Sequence, residues 1–249
     1  MKVKRLFLLF FLAQVACLWL SPGRTADPVV EVWQLKQESA SFGKITAYLG
    51  SDCARADLYM GASHIVAKAP DWKVVAWNDE NKGICVDSKT WQKSELDFLG
   101  IYLKDIYARS GDKGGRPVRY LGKKAIAFEQ VNAENGRAAF LRTDVGTQPR
   151  YIKGVARAIA SNDFALSEGV AGFCRGFYST PRVAPVLLGS GTSEDTGEFW
   201  CFRTIAIEKK KVPASLFKAP TSFKPAERLQ QVLVGSRGAN VLLDVLGPE

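Results

Sequence analysis

Glu198-Phe199-Trp200-Cys201-Phe202-Arg203-Thr204-Ile205-Ala206-Ile207-Glu208 is the stretch on which the fold turns. Successive side chains of an extended chain point to opposite faces. Phe199, Cys201, Ile205 and Ile207 therefore share one side, and Trp200, Phe202 and Ala206 share the other. A strand that is apolar on both sides is central in its sheet and covered on both faces. Lys209-Lys210-Lys211 follows and reads as a solvated exit from that sheet; a peripheral contact with an anionic membrane is the alternative use of those charges.

Working outward, the same period of two recurs earlier. Ala54, Ala56, Leu58 and Met60 alternate with Arg55, Asp57 and Tyr59, the pattern of a half-buried strand. Val30–Leu35, Ile45–Leu49, His64–Lys68, Lys73–Trp77 and Ile84–Asp87 complete a predicted β-meander. Its turns are Ala69-Pro70-Asp71 and the polar run from Asn78 to Gly83. Arg116–Leu121, Lys124–Val131 and Arg137–Val145 are further predicted strands, with Asn135-Gly136 as a hairpin signal. Val186–Leu188 is a short strand and Ser190–Gly197 a polar loop.

Two segments change period. Leu96, Leu99, Leu103, Ile106 and Tyr107 recur at three-to-four spacing after Ser94, predicting an amphipathic helix over Glu95–Arg109. Asn162 can cap a second helix whose Phe164, Val170, Ala171, Cys174, Phe177 and Tyr178 lie near one face. Gly169, Gly172 and Gly176 count against it, each at up to ~1 kcal/mol relative to Ala. Pro225–Val234 reads as a closing helix and Asn240–Leu246 as a short last element. The fold class is thus α+β, mainly β: an antiparallel sheet with a few amphipathic helices.

The first 26 residues read as a signal sequence. Lys2, Lys4 and Arg5 precede an apolar run from Leu6 to Leu20, and Ala26 closes a small-residue exit. Fifteen apolar residues fall short of the roughly 20 that cross a bilayer. A retained anchor, or lipidation at Cys17, is the alternative; Gln14 and the apolar Leu18-Trp19-Leu20 argue against lipidation. The expectation is an exported protein, periplasmic or extracellular, with residues 27–249 as a single domain. Loss of Lys2, Lys4, Arg5 and Arg24 lowers the formal charge from +9 to about +5. No basic run interleaved with aromatics suggests nucleic acid. Oligomeric state is not legible.

Outside the cytosol, Cys53, Cys85, Cys174 and Cys201 suggest disulfides. Of three pairings, Cys53–Cys85 and Cys174–Cys201 join neighbours along the chain and are the expected ones. No closely spaced ligand pair points to zinc, and no cofactor motif is present. Gly111–Gly115 lacks the Lys-Ser/Thr and helix of a phosphate loop, and Gly189–Gly191 fails the same test. His64 is the single histidine, set between Ser63 and Ile65 without triad context. Asp57 with Asp87 could form a carboxylate pair, but nothing selects them. A non-enzyme is the favoured reading. Trp33, Trp72, Trp77, Trp91 and Trp200 fill a core or line a cavity. Trp77, Trp200 and Phe202, with Leu99, Leu103 and Ile106, are the candidate lining of an apolar hollow.

The tail runs Val212-Pro213-Ala214-Ser215-Leu216-Phe217-Lys218-Ala219-Pro220-Thr221-Ser222-Phe223-Lys224. Earlier come Leu58-Tyr59-Met60 and Ile65-Val66-Ala67-Lys68-Ala69-Pro70-Asp71-Trp72. Together, from about Val30 to Lys224, these resemble exported proteins of unknown function in the LolA-like superfamily, whose better-known members carry lipoproteins. The resemblance implies a curled, incompletely closed antiparallel barrel with helices across its open concave side. It implies a lipid, an acyl chain or a lipidated protein as the partner, held without chemistry. Four cysteines depart from the family pattern, and the carriers' functional Arg matches no single position here. An envelope structural or protein-interaction domain with a filled core is the second expectation, and a cell-envelope hydrolase the third.

Overall fold

The computed structural model describes residues 27–40, 42–93, 115–131, 138–139, 151–152, 155–194 and 197–233. In chain order the described elements are β1 (Val29–Ser39), β2 (Gly43–Leu49), β3 (Cys53–Leu58), β4 (Ser63–Lys68), β5 (Val74–Asn78), β6 (Lys82–Val86) and α1 (Ser88–Lys93). There follow β7 (Arg116–Tyr120), β8 (Lys123–Val131), β9 (Ala138–Ala139), β10 (Tyr151–Ile152), β11 (Val155–Ser161), α2 (Glu168–Tyr178), β12 (Val186–Glu194), β13 (Gly197–Pro213), a 3-10 turn at Ala214–Phe217, and β14 (Lys224–Pro225). The predicted signal segment, the helix over Glu95–Arg109, the Asn135-Gly136 turn, most of Arg137–Val145 and Asn240–Leu246 lie outside the described residues.

Twelve strands form one sheet in the order β14-β6-β5-β4-β3-β2-β1-β13-β12-β11-β8-β7. Neighbours are antiparallel except β14, which runs parallel to β6. The stretch that opened the sequence reading is β13, which pairs with β1 on one side and β12 on the other.

The sheet is curled. α2 packs against β12 and also against β3 and β4. β3 and β12 are four strand steps apart, roughly 19 Å across a flat sheet at ~4.8 Å per step. A helix with its side chains is only about 10–12 Å wide. It touches both strands because the sheet bends around it. The concave face carries Leu35, Ile45, Leu49, Ala54, Ala56, Leu58 and Ile65, all buried in the main core. The meander alternation therefore holds, with Arg55 and Asp57 on the convex face.

Alternation on β13 is broken. The β1–β13 register shifts at Lys36/Gln37, leaving Ile205 unpaired, and the β12–β13 register shifts at Ser190/Gly191, leaving Cys201 unpaired. Each bulge re-aims the residues beside it. Ile205 is consequently 46% exposed, while Ile207, expected on the same face, packs on the main core. Phe202 and Thr204 are both buried.

Other expectations need correction. Residues 190–194 continue β12 instead of forming a loop. β11 was not foreseen, since Val155–Ser161 is short and Ala-rich with little alternation. α2 starts at Ser167, whose hydroxyl accepts from the Val170 N–H, not at Asn162. α1 is capped by Asp87, whose carboxylate accepts from the Lys89 and Thr90 N–H groups. The tail is not simply helical: β14 precedes a helical turn at 229–233.

That tail is a strap. From β13 the chain crosses the convex face over β3 and β4 to reach β6 at the far edge. Phe217 seats in a second, smaller core with Val32, Cys53, Val66 and Val212. The Ala214 N–H donates to Pro28 O at 2.7 Å and the Ser215 N–H to Asp27 Oδ2 at 3.2 Å. Ser215 also holds the Asp27 carboxyl below its ordinary range. The Phe223 ring lies where a Cβ on Gly83 would sit, 2.5 Å away. Past β14, Val232 and Leu233 enter the main core, and Val232 O accepts from Ser63 Oγ (2.8 Å) and Asn78 Nδ2 (3.2 Å).

Cys53, Cys85, Cys174 and Cys201 are free thiols, which overturns the expected disulfides. Cys53 on β3 and Cys85 on β6 are three strand steps apart, roughly 14 Å, and a disulfide tolerates only about 7 Å between Cα atoms. Cys174 is enclosed in α2, and Cys201 sits at the β13 bulge. Nearness along the chain is a poor guide across a wide sheet. Burial pushes the Cys53 thiol up to about 12 and Cys201 up to about 11, and raises Cys174 further. Protonated thiols are weak nucleophiles. Mass-resolved maleimide labelling of native protein should modify the exposed Cys85 first and leave Cys53 and Cys174 untouched until denaturant is added. Equal labelling of these four, or failure of any one of them to label in denaturant without reductant, contradicts this arrangement.

Candidate functional site

α2 has two working faces. Val170, Phe173, Cys174 and Phe177 recur at three-to-four spacing and are buried towards the sheet. Gly169, Gly172 and Gly176 form an adjacent stripe that faces other residues at very short range. A Cβ on Gly169 would lie 1.9 Å from the Trp72 ring, one on Gly172 2.8 Å from Gln92 Nε2, and one on Gly176 2.4 Å from the Trp91 ring. The glycines that weaken the helix by propensity are what allow α1 and Trp72 to approach it.

Aromatic side chains carry the contact inward. Trp91 stacks on Phe173 with centroids 5.7 Å apart and donates its indole N–H to Phe173 O at 2.9 Å. Phe173 stacks on Phe177 (6.0 Å), Phe177 meets Tyr178 edge-on (4.8 Å), and Tyr178 meets Phe202 (5.9 Å). Tyr178 ends the series by donating its hydroxyl to Gln37 Oε1 at 2.9 Å. The Gln37 amide donates to Thr204 Oγ1 (3.0 Å) and Leu187 O (3.3 Å). Burial raises the Tyr178 phenol well above its ordinary value, so it stays a donor. All of these aromatic residues are buried in the main core.

A cavity opens beside the glycine stripe. It is a half-open hollow of about 320 Å³ between α1, α2 and the β4–β5 end of the sheet. Ala67 and Val74 form its floor, Trp72, Trp91 and Phe173 its walls, and Gln92 and Glu168 its rim. Arg175 ties the rim together, donating to Glu168 Oε1 at 2.6 Å and Gln92 Oε1 at 3.3 Å. The arginine holds the Glu168 carboxyl below its usual range. The lining mixes apolar side chains with the polar Ser88, Gln92 and Glu168, a concave surface that can take a small molecule.

The residues predicted to line a hollow scatter. Phe202 is wholly buried in the main core. Trp200 borders a different groove, of about 460 Å³, with Glu38, Lys44 and Arg203 at the β1–β2 hairpin. Trp77 lies on the convex face in the smaller core. Leu99, Leu103 and Ile106 lie outside the described residues. Trp72, Trp91 and Phe173 were not selected from sequence. Glycines at i, i+3 and i+7 inside an apolar helix were the available signal, because such glycines usually have a packing reason.

The convex face holds a compact polar cluster. Asp57 Oδ1 lies 2.7 Å from both Arg55 Nε and His64 Nδ1, and Arg55 Nη2 lies 3.0 Å from the same ring nitrogen. Trp77 packs on the His64 ring at 5.3 Å. A carboxylate at Nδ1 is half of a triad, but Nε2 faces the Asp79 carboxylate at 3.7 Å rather than a hydroxyl or thiol. Asp87 is occupied in capping α1, away from Asp57. The two carboxylates do not meet in a cleft. No protein-family model and no curated protein matches the chain.

Replacing Gly176 with Ala tests the glycine stripe. An exposed helix gains up to ~1 kcal/mol from that change. Here overpacking against Trp91 should reverse the sign and cost about 1–3 kcal/mol in urea unfolding. A stabilised Gly176→Ala variant contradicts the close approach.

Proposed function

We propose that the chain is a non-enzymatic binding protein that works outside the cytoplasmic membrane and holds an acyl chain, lipid or lipidated protein between its sheet and helices. The observation that carries this reading is the cavity walled by Trp72, Trp91 and Phe173 over Ala67 and Val74. At roughly 30 Å³ per water-sized group, 320 Å³ takes a chain of about ten carbons. Each buried methylene contributes about 0.8 kcal/mol, and a micromolar Kd corresponds to about 8 kcal/mol. Complete burial would reach the micromolar range before ordering costs are subtracted, and the half-open mouth moves the expected Kd towards the high micromolar end. The signal-like first 26 residues and the resemblance of the tail to LolA-like exported proteins support the same reading.

A filled-core interaction domain is the second reading. The observation favouring it is the packing of Phe177 and Tyr178 of α2 with Phe202 of β13, each fully buried. It predicts no saturable small-ligand binding.

Delipidated protein titrated with a fluorescent medium-chain fatty acid separates the two. Saturable binding in the micromolar range is expected. Gln92→Trp, an exposed rim position, should weaken it about tenfold by blocking the mouth. Absence of saturation defeats the carrier reading, and saturation indifferent to Gln92→Trp places the ligand elsewhere.

A further inference from the structure

We infer that the groove bordered by Trp200, Arg203, Glu38 and Lys44 is a second binding site, and that it takes an anionic oligosaccharide. The carrying observation is a row of side chains set by strand register. Lys44 on β2 is opposite Glu38 on β1, Glu38 is opposite Arg203 on β13, and Arg203 is opposite Gly189 on β12. Side chains directly opposite one another across a sheet share a face. Arg203, Glu38 and Lys44 therefore stand side by side as cation, anion and cation. Three strand steps separate Gly189 from Lys44, roughly 14 Å at ~4.8 Å per step.

Trp200 closes the row at its glycine end. A Cβ on Gly189 would lie 2.7 Å from Trp200 Cζ3, so the missing side chain is what seats the indole. Tyr120 meets the ring edge-on with centroids 6.3 Å apart, and its hydroxyl donates to Thr204 O at 3.0 Å. The indole is thus held from two sides and still borders the groove. The register shift at Ser190/Gly191 lies beside it, and such bulges re-aim side chains next to functional sites. The Ala40 N–H donates to Cys201 O at 2.8 Å, which ties the end of the β1–β2 hairpin to the bulge. Aromatic platform and charged row are fixed relative to one another.

The unused valences select the ligand. Arg203 directs both Nε (2.9 Å) and Nη2 (2.8 Å) at one oxygen, Glu38 Oε2. Glu38 Oε1 and Lys44 Nζ have no partner among the described residues. The groove, about 460 Å³ and open to solvent, combines an aromatic face, a carboxylate acceptor and an ammonium donor. An acyl chain finds only one large apolar side chain there. A run of phosphates meets the Glu38 carboxylate. A sugar ring fits all three groups: its C–H face lies on the electron-rich face of an indole, and its hydroxyls donate to a carboxylate. The ammonium takes a negative substituent, a uronate or a phosphate. The row is longer than one sugar ring, so the ligand has at least two. The groove shares no residue with the hollow beside α2, and the inference does not rest on the lipid reading.

The full chain, screened at physiological salt against a panel of short oligosaccharides in uronate-bearing, phosphate-bearing and neutral forms, tests this. Calorimetry then measures the tightest member. An anionic member should bind saturably and about tenfold tighter than its neutral counterpart, the scale of one charge-assisted hydrogen bond. The uronate and phosphate arms show which anion is recognised. Lys44→Gln, at an exposed position, should remove that tenfold preference, and Trp200→Leu should remove binding. If Trp200→Leu does not fold, Lys44→Gln carries the test. A saturating medium-chain fatty acid should leave the saccharide affinity unchanged. Binding by no member, equal binding of neutral and anionic forms, an anionic preference that survives Lys44→Gln, or displacement by the fatty acid overturns the site.

Discussion

The close approach of α2 to the sheet on one side, and to Trp72 and Trp91 on the other, is the contact on which the rest depends. A curled sheet of this width has a concave face that no single hairpin can cover. α2 covers it by presenting large aromatic residues inward and glycines sideways. Aromatic filling stabilises each side chain by roughly 1.5–3 kcal/mol through removal from water. The glycines cost helix propensity, and the close approach of Trp72 and of Trp91, which stacks on Phe173, offsets that cost. The cavity is a by-product of the same geometry: rigid rings stand off the small side chains of Ala67 and Val74 and leave space that nothing in α2 is long enough to fill.

The two faces of the sheet are specialised differently. The concave face is mostly apolar, with buried polar anchors at Tyr178–Gln37–Thr204 and at Ser63 and Asn78 with Val232 O. The convex face is a thin apolar layer beside ionised groups, closed by a strap pinned at Pro28, at Asp27, by Arg55 at Leu216 and by Phe217 in its pocket. The hollow beside α2 and the strap on the convex face lie on opposite sides of the sheet, and the tail reaches the main core at 229–233.

Much of the fold was legible in the sequence. Ala54, Ala56 and Leu58 alternate with Arg55 and Asp57, and the chain has no local reason to break that pattern. β13 was read correctly as central, but its side-chain faces were not, because a bulge leaves no mark in composition: Ile205 and Ile207 look equivalent until the pairing register is known. The disulfide reading failed for a related reason. Strand order, not chain order, sets distance in a meander, and Cys53 and Cys85 are separated by the two strands between them. The cavity was hidden because its walls come from a loop residue, Trp72, a six-residue helix and the side of α2. The Arg55–Asp57–His64 cluster was hidden because cross-strand pairing alone brings His64 opposite Asp57.

The most direct test of the account is a crystal structure of the protein with a bound ten-carbon fatty acid. The account predicts the apolar chain within about 4 Å of Trp72, Trp91 and Phe173, with its carboxylate at the mouth near Arg175. A chain lodged instead beside Trp200 and Arg203, or an empty, unchanged cavity at saturating ligand, would contradict it.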